Sequence, residues 1–246
     1  DYDEENKKPL PPYIQMVISI MKRVLHFLPS KNHFISLQIL SDGLNVISNY
    51  ENHLLPMVHQ LWSPLCTKFN NNTDDMVFRE AFNVLTTMAS SAKDFIRSRS
   101  LKQVLPTIVE RLVSSAKKSK KVFKGSVYFT SHKYKLQYTI LSGIGDLVLN
   151  LNFIEKDMYD ILTAVTYYLE QDQPIELQEK SLEFYKKIYA IHSDFVWIYL
   201  QSLYIDEYEY KSDNTRLPTI KVCGSSKFEK SLIFKNVSEL LELFKN

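Results

Sequence analysis

The stretch TDDMVFREAFNVLTTMASSAKDFIRSRSLKQVLPTIVERLVSSA, residues 73–116, decides the fold of this chain. Apolar residues recur there every three or four positions, which is the spacing of one face of an α-helix. They are Val77, Ala81, Leu85, Met88 and Ala92 in the first half, and Leu101, Val104, Leu105, Ile108, Leu112 and Val113 in the second. The pattern predicts two antiparallel helices. Because neither helix can bury its apolar stripe alone, the pair needs similar pairs beside it.

Similar pairs are predicted along most of the chain. The first helices of four pairs begin near residues 31, 74, 131 and 174, at spacings of 43, 57 and 43 residues. The larger spacing contains KKSKKVFKGSVYF, residues 117–129, which we interpret as an insertion. Two-helix repeats of roughly 40 to 47 residues are typical of HEAT proteins. The sequence therefore predicts an all-α, HEAT-like solenoid of about four helix pairs.

The two ends of the chain differ from the repeats. Residues 1–12, DYDEENKKPLPP, are polar and contain proline, and we expect them to form a flexible leader. The solenoid, which begins with an additional helix, is predicted to span residues 13–204. Residues 205–235 lack periodicity, and we expect an extended or disordered strap there. A small apolar stripe predicts a last helix over residues 236–246.

Two local signals predict where the helices of the second pair begin. Thr73 is placed to cap the first helix, with Asp74 and Asp75 near its positive end. Ser100 and Gln103 have the spacing of a capping box at the start of the second helix.

Charge and cysteine content argue against several classes of protein. The 30 basic and 28 acidic residues leave a net charge of +2, which is too balanced for a dedicated nucleic-acid-binding protein. The two cysteines lack the spacing of a disulfide framework or a metal site, as is typical of a reducing compartment. No apolar run has the length of a membrane span and no signal peptide is visible, so we expect no membrane association. The chain does not begin with methionine, and we expect it to be a fragment of a longer protein.

Sequence motifs for catalysis are lacking. His53 and His59 lie six residues apart on one predicted helix, whereas paired metal ligands use spacings of three or four. The nearest match to a phosphate-binding loop is SGIGD, residues 142–146, inside a helical stripe. Its glycines are better explained by close packing of helices. The sequence thus predicts no enzyme activity, no cofactor and no metal site.

Two groups of residues are candidates for contact with a protein partner. Arg97 and Arg99 lie between the helices of the second pair, where they can bind carbonyl groups of the turn or a partner's carboxylates. We favour the turn role and keep the second one open. The other group is the aromatic end of the solenoid, because Tyr and Trp are favoured interface anchors. It consists of Trp197, Tyr199, Tyr204, Tyr208 and Tyr210.

The insertion offers a competing hypothesis. Its lysines are interleaved with Phe123, Tyr128 and Phe129, and a basic loop with aromatic residues can bind a phosphate backbone. The simpler interpretation is a solvated insertion, which we favour. The alternative function is therefore a HEAT adaptor of another pathway, with nucleic acid contacted through residues 117–124.

Several strings, taken in order, resemble the C-terminal region of the Tel-two-interacting protein one family. This family supplies the large HEAT-repeat subunit of the TTT (Triple T) co-chaperone complex. The strings run from about Phe34 to Leu203, and the most specific are the RSR turn followed by VLP and the VY…KLQ…L.G.G pattern. They are HLLPMVHQLWSPL (53–65), DFIRSRSLKQVLP (94–106), GSVYFTSHKYKLQYTILSGIGDL (125–147) and PIELQEKS (174–181), followed by Trp197 and Leu200.

The resemblance implies a function that the residues alone do not. It implies a solenoid subunit that binds the Tel-two protein and a second Tel-two-interacting protein. Together with the ninety-kilodalton heat-shock chaperone machinery, such a complex supports maturation of phosphatidylinositol-3-kinase-related kinases (PIKKs). We expect a cytoplasmic location, with the nucleus as a second compartment. The lysine run 117–121 and residues 206–234 do not match the family pattern, and the resemblance assigns no catalytic residue.

Overall fold

A computed structural model describes residues 2–3, 8–28, 33–122, 126–204 and 230–245 of the chain. Helices dominate this part, and the predicted all-α solenoid is confirmed. One small antiparallel pair of strands, β1 (Tyr2–Asp3) and β2 (Lys8–Pro9), precedes the helices. The helices are α1 (Pro12–Leu25), α2 (His33–Val46), α3 (Glu51–Cys66), α4 (Asp75–Ala92), α5 (Asp94–Arg99), α6 (Leu105–Val122), α7 (Ser126–Thr130), α8 (His132–Asn150), α9 (Glu155–Thr166), α10 (Ile175–Tyr189), α11 (Ser193–Tyr204) and α12 (Lys230–Phe244), and a π-helical segment, Ser100–Val104, joins α5 to α6.

Four helices, α2, α4, α8 and α10, pack side by side in one layer, which we call the first-helix row. They begin at residues 33, 75, 132 and 175, so their starts lie 42, 57 and 43 residues apart. Helix α4 is at the centre of the row and buries half of its side chains, among them Phe78, Phe82 and Leu85. The row therefore holds the repeats together.

The two glycines of SGIGD allow the helices of this row to approach closely. A Cβ atom on Gly143 would lie 2.9 Å from Phe82 of α4, and one on Gly145 would lie 3.1 Å from Lys187 of α10. Such distances are shorter than ordinary van der Waals contacts. These glycines thus serve helix packing on the two sides of α8.

The second helices pack against the first-helix row, and buried polar contacts join one of them, α6, to the next repeat. Helix α6 packs against α8 and α9, and α11 packs against α10. The Tyr168 hydroxyl donates to the carbonyl of Leu112 over 2.9 Å, and the Gln173 amide donates to the carbonyl of Ala116 over 3.1 Å. These bonds join α6 to the segment between α9 and α10.

The predicted insertion is for the most part helical. Helix α6 continues to Val122, so the lysine run 117–121 belongs to a helix and not to a loop. A buried contact holds this part of α6 in place: the Ser119 hydroxyl lies 2.8 Å from Ala116 O and 2.6 Å from Gln173 Oε1. Lysine is also a good helix former. Phe123 and Lys124 lie outside the described residues.

The predicted caps of the second pair differ from the observed ones. The cap of the first helix lies one residue later than predicted, and the capping box predicted for the second helix is wrong. Asp74, and not Thr73, caps α4, and its carboxylate accepts a hydrogen bond from Met76 N over 2.8 Å. The second helix already begins at Asp94, after Lys93 adopts a positive φ of 39°. Ser100 and Gln103 therefore lie within continuous helix, and Gln103 instead accepts a hydrogen bond from Trp62.

The two ends of the solenoid are covered by single helices. At one end, α1 packs on α2 and α3. At the other, α12 packs on α10 and α11, and it begins at Lys230, earlier than the predicted residue 236. The Asn236 amide binds Leu169 O and Gln178 Oε1, each over 2.7 Å, which anchors α12 to the last repeat. Most of the predicted strap, residues 205–229, lies outside the described residues.

Candidate partner-binding surfaces

Arg97 and Arg99, predicted at the turn of the second pair, form contacts within the chain. The Arg99 guanidinium donates to Phe95 O over 3.2 Å and lies 4.8 Å and 5.4 Å from the ring centroids of Phe95 and Trp62. Arg97 lies 3.7 Å from the carboxylate of Asp157 on α9. Arg99 thus contacts a carbonyl, whereas Arg97 faces a carboxylate of its own chain, and the role that we favoured for the two residues stays a prediction. A further contact of either arginine with a partner stays a prediction.

Cys66 lies near Arg99, and the burial of its thiol makes it a poor nucleophile. Cys66 lies on α3, and its thiol is 3.6 Å from Gln103 Oε1. Burial raises the pKa of Cys66 to about 11, although the positive charge of Arg99 acts in the opposite direction. The thiolate is the reactive form, so this thiol is a poor nucleophile at neutral pH.

The residues of the predicted aromatic end lie in different environments. Trp197 is half-buried, whereas Tyr199 is buried and its hydroxyl lies 2.9 Å from that of Thr166. Tyr199 thus belongs to the core between α9 and α11. Tyr204 ends α11, but its side chain lies outside what the structure describes, as do Tyr208 and Tyr210. The interface role of this group stays a prediction.

An open groove that crosses α2, α4 and α8 was not among the features predicted from the sequence. We call it the row groove, and its volume is about 440 Å³. Polar and aromatic side chains from three helices of the first-helix row line it. They are Gln38, Arg79, Glu80, Asn83, Tyr134, Lys135, Tyr138 and Thr139.

A fixed polar network forms one wall of the row groove. The Arg79 guanidinium donates to Glu80 Oε1 over 2.8 Å and 3.0 Å, and the Asn83 amide donates to Glu80 Oε2 over 3.1 Å. Both oxygens of the buried Glu80 carboxylate are therefore satisfied, as a buried charge requires. Lys135, in contrast, is exposed and has no ion pair within the described part of the chain. The groove thus keeps one uncompensated positive charge.

Aromatic rings form the opposite wall and extend beyond it. Tyr134 lies 6.3 Å from Tyr138 and 5.2 Å from Phe129, measured between ring centroids. Tyr128 completes this group of four, which we call the surface aromatic cluster. Burial raises the pKa of Tyr134 to about 12, and the carboxylate of Glu176 adds to the increase. The Tyr134 hydroxyl is therefore neutral at physiological pH.

The lysine run of the competing hypothesis lies on α6, and Lys133, which follows the insertion, lies on α8. Lys117 on α6 lies 5.9 Å from the ring centroid of Tyr167, whereas Lys133 on α8 is partly buried. Burial lowers the pKa of Lys133, and the nearby charge of Lys118 lowers it further. A nucleic-acid contact through residues 117–124 stays a prediction.

The described residues, from 2–3 to 230–245 with the gaps given above, contain no group of three or more His, Cys, Asp or Glu side chains that could hold a metal ion. None of the helices described is both long and apolar enough to cross a membrane.

Comparison with known proteins identifies the family. The model of the TTI1 C-terminal TPR domain matches residues 1–197 of the chain. The chain belongs to the TTI1 family. The family's own description uses the name TPR, where the repeat length had led us to HEAT; both are stacked two-helix repeats. TTI1 proteins are scaffold-type repeat proteins.

Two relatives show how much of a TTI1 protein this chain represents. The TELO2-interacting protein 1 homolog of Mus musculus is 32% identical over 221 residues, which are 89% of this chain and 20% of the relative. The Homo sapiens homolog is 36% identical over 200 residues, which are 80% of this chain and 18% of the relative. The chain thus spans about a fifth of the length of these relatives. No solved structure matches the chain.

The row groove could have been suspected from one signal in the sequence. Arg79, Glu80 and Asn83 are three polar residues among the buried apolar residues of α4, which is one of the two inner helices of the row. A helix that is buried on most sides tolerates such residues where they face an opening or one another. Recognising the opening, however, requires knowing that Lys135 and Tyr138 of α8 lie opposite.

Proposed function

We propose that this chain is a scaffold region of a TTT-like co-chaperone complex and acts by binding proteins. The observation that supports this is the match of residues 1–197 to the TTI1 C-terminal domain, with relatives that are named for interaction with TELO2. The chain binds a TELO2-like protein and a second Tel-two-interacting protein. Through them it cooperates with heat-shock chaperone machinery in the maturation and stability of PIKK-family kinases. It acts in the cytoplasm and also in the nucleus, without catalysing a reaction.

The row groove is the surface that we propose for the TELO2-like partner. Tyrosine and arginine are enriched among residues that dominate binding energy, and both line this groove. The Arg79, Glu80 and Asn83 side chains are already held in place by one another, which reduces the entropy lost on binding. The charge of Lys135 favours a partner segment with a carboxylate.

A pair of double variants tests this proposal. In the full-length protein, Lys135→Glu with Tyr138→Ala removes the charge and an aromatic ring from the groove. Lys156→Glu with Tyr159→Ala is the matched control, because these residues have the same spacing on α9 and Tyr159 is 43% exposed, against 39% for Tyr138. Both variants are co-expressed with the TELO2 homologue of the same organism, and their affinities are measured.

We expect the groove variant to bind at least about tenfold more weakly than the wild type, because two central contacts are lost. The control variant should bind like the wild type. Failure of the folded wild-type protein to capture the TELO2 homologue would contradict the proposed function. Equal affinities of the two variants would be compatible with the proposed function and would contradict only the proposal that the row groove is the binding surface.

A further inference from the structure

An apolar stripe is exposed on the outer side of α1, at the end of the solenoid where α1 packs on α2. Tyr13, Met16 and Ile20 lie at spacings of three and four residues, and each is exposed. They form a line on the helix that is separate from the buried line Ile14 and Met21. The apolar surface of α1 is therefore wider than the part of it that contacts α2 and α3.

The exposed apolar stripe is not the side of α1 that is adapted to water, because α1 has a separate polar side. Gln15, Ser19, Lys22, Arg23 and His26 are exposed. Successive residues of an α-helix are turned by about 100°, which places these five residues together and beside the apolar stripe. A helix that ends a solenoid in water presents polar residues on its outer side. Helix α1 instead has the two-sided pattern of a helix with another neighbour.

Helix α2 carries a matching stripe. Ile35, Ile39 and Val46 are exposed on it at spacings of four and seven residues. The hydroxyl of Ser41 lies 3.1 Å from that of Thr87 on α4, so Ser41 marks the side that faces the next repeat. The three apolar residues are turned from Ser41 by about 120° to 160° around the helix axis. They lie on the side of α2 that points away from the rest of the first-helix row.

The two stripes belong to one surface, because α1 and α2 are in direct contact between them. A Cβ atom on Gly43 of α2 would lie only 2.5 Å from the Met21 sulfur of α1. Ile20 precedes Met21, and Val46 follows Gly43 by one helical turn. We call the surface formed by Tyr13, Met16, Ile20, Ile35, Ile39 and Val46 the α1–α2 end face.

The occupant of this face can be inferred from the length of the relatives. The matched region is described as C-terminal, and about four fifths of the Mus musculus relative lies outside its 20% share. In a solenoid, each repeat buries the apolar side of its neighbour. We propose that the α1–α2 end face is the stacking surface for the helical repeat that precedes this region in the full-length protein. The stack then continues through this face without a hinge, which goes beyond the proposed function and does not depend on it.

Cysteine labelling in the full-length protein tests this inference. Met16→Cys and Val46→Cys place a thiol on each helix of the face, and Ile175→Cys and Leu243→Cys are controls at the first-helix row and on α12. The controls match the test residues in exposure, with 65% and 50% for Ile175 and Leu243 against 65% and 44% for Met16 and Val46. The rate of maleimide labelling at each site is measured by mass spectrometry of the peptides and divided by the rate in denaturant.

We expect labelling of the two face cysteines to be more than about tenfold slower than labelling of the controls in the purified monomer, because stacking must open first. Equal rates at all four sites would overturn the inference. Protection that appears only at concentrations where the protein dimerises would assign the face to a second copy and would overturn it as well. Protection that requires an added partner protein would have the same consequence. A folding defect is recognised by a lowered midpoint or a loss of cooperativity in the unfolding of the variant, and Ile20→Cys then replaces the affected site.

Discussion

Tyrosine occurs in two clusters of this molecule, and the two differ in what surrounds the hydroxyl groups. Between α9, α10 and α11, Tyr185 and Tyr199 are buried, and both hydroxyls lie within 2.9 Å of the Thr166 hydroxyl. The Tyr185 hydroxyl also donates to Leu162 O over 2.9 Å. We call this group the buried hydroxyl network. In the surface aromatic cluster, Tyr134 and Tyr138 instead leave part of their rings exposed beside the row groove.

The difference shows how the same residue type is assigned to the core or to a surface. A tyrosine is buried where its hydroxyl finds a fixed partner inside, because an unpaired buried hydroxyl is costly. Thr166 supplies that partner for the network. At the row groove, the Tyr134 and Tyr138 side chains remain partly exposed, so their rings are available for contact. The network should therefore determine stability, and the cluster should determine binding.

The largest loss of stability should follow from removing a tyrosine ring from the buried hydroxyl network. Tyr185→Ala removes a fully buried ring and should lower the free energy of unfolding by about 3–5 kcal/mol. Tyr138→Ala, in the surface aromatic cluster, should change it by less than about 0.5 kcal/mol. Urea denaturation followed by circular dichroism measures both. Similar losses for the two variants would remove the distinction between the clusters.

A smaller effect should follow from removing only the shared hydroxyl. Thr166→Val keeps the shape of the side chain but deprives the Tyr199 and Tyr185 hydroxyls of a partner, which should cost about 1–3 kcal/mol. Thr130→Val is the control, because the Thr130 hydroxyl is at the surface and donates to Val127 O. Its urea midpoint should stay close to that of the wild type. A midpoint for Thr166→Val that matches the control would show that the network is not needed.

The smallest effect concerns pH and involves both clusters. Burial raises the pKa of Tyr185, Tyr199 and Tyr134, the last to about 12. Above the ordinary tyrosine pKa of about 10, the unfolded chain loses these protons first and the folded chain keeps them. The stability that neutral tyrosine contributes is complete below about pH 10 and decreases as the pH rises towards the folded-state pKa.

Replacing Tyr134 by phenylalanine should therefore make the urea midpoint depend less on pH between about pH 9 and about pH 11. Tyr13→Phe, measured in the chain of residues 1–246, where this residue is exposed, serves as the control. A Tyr134→Phe curve that coincides with that of the wild type would show that this tyrosine titrates alike in both states.

The sequence was sufficient for the repeat plan and insufficient for the roles of single side chains. The period of apolar residues reports directly which side of a helix is buried, so the four pairs and their starts were predicted closely. Tyr199 was predicted at an interface, but its burial depends on Thr166, which is 33 residues away in the sequence. Gln103 was predicted in a capping box, but its side chain accepts a hydrogen bond from Trp62, 41 residues away in the sequence. Such distant contacts leave no local pattern.

The row groove shows the same limit, and the central structural claim is that it binds the TELO2-like partner. Its direct test is hydrogen exchange of the full-length protein with and without the TELO2 homologue of the same organism. Binding should slow exchange in peptides that cover residues 73–83 and 128–139, which border the groove, and should leave α9 unchanged. If exchange were unchanged in both groups of peptides and slowed only in α9 or outside residues 1–246, binding at the row groove would be contradicted.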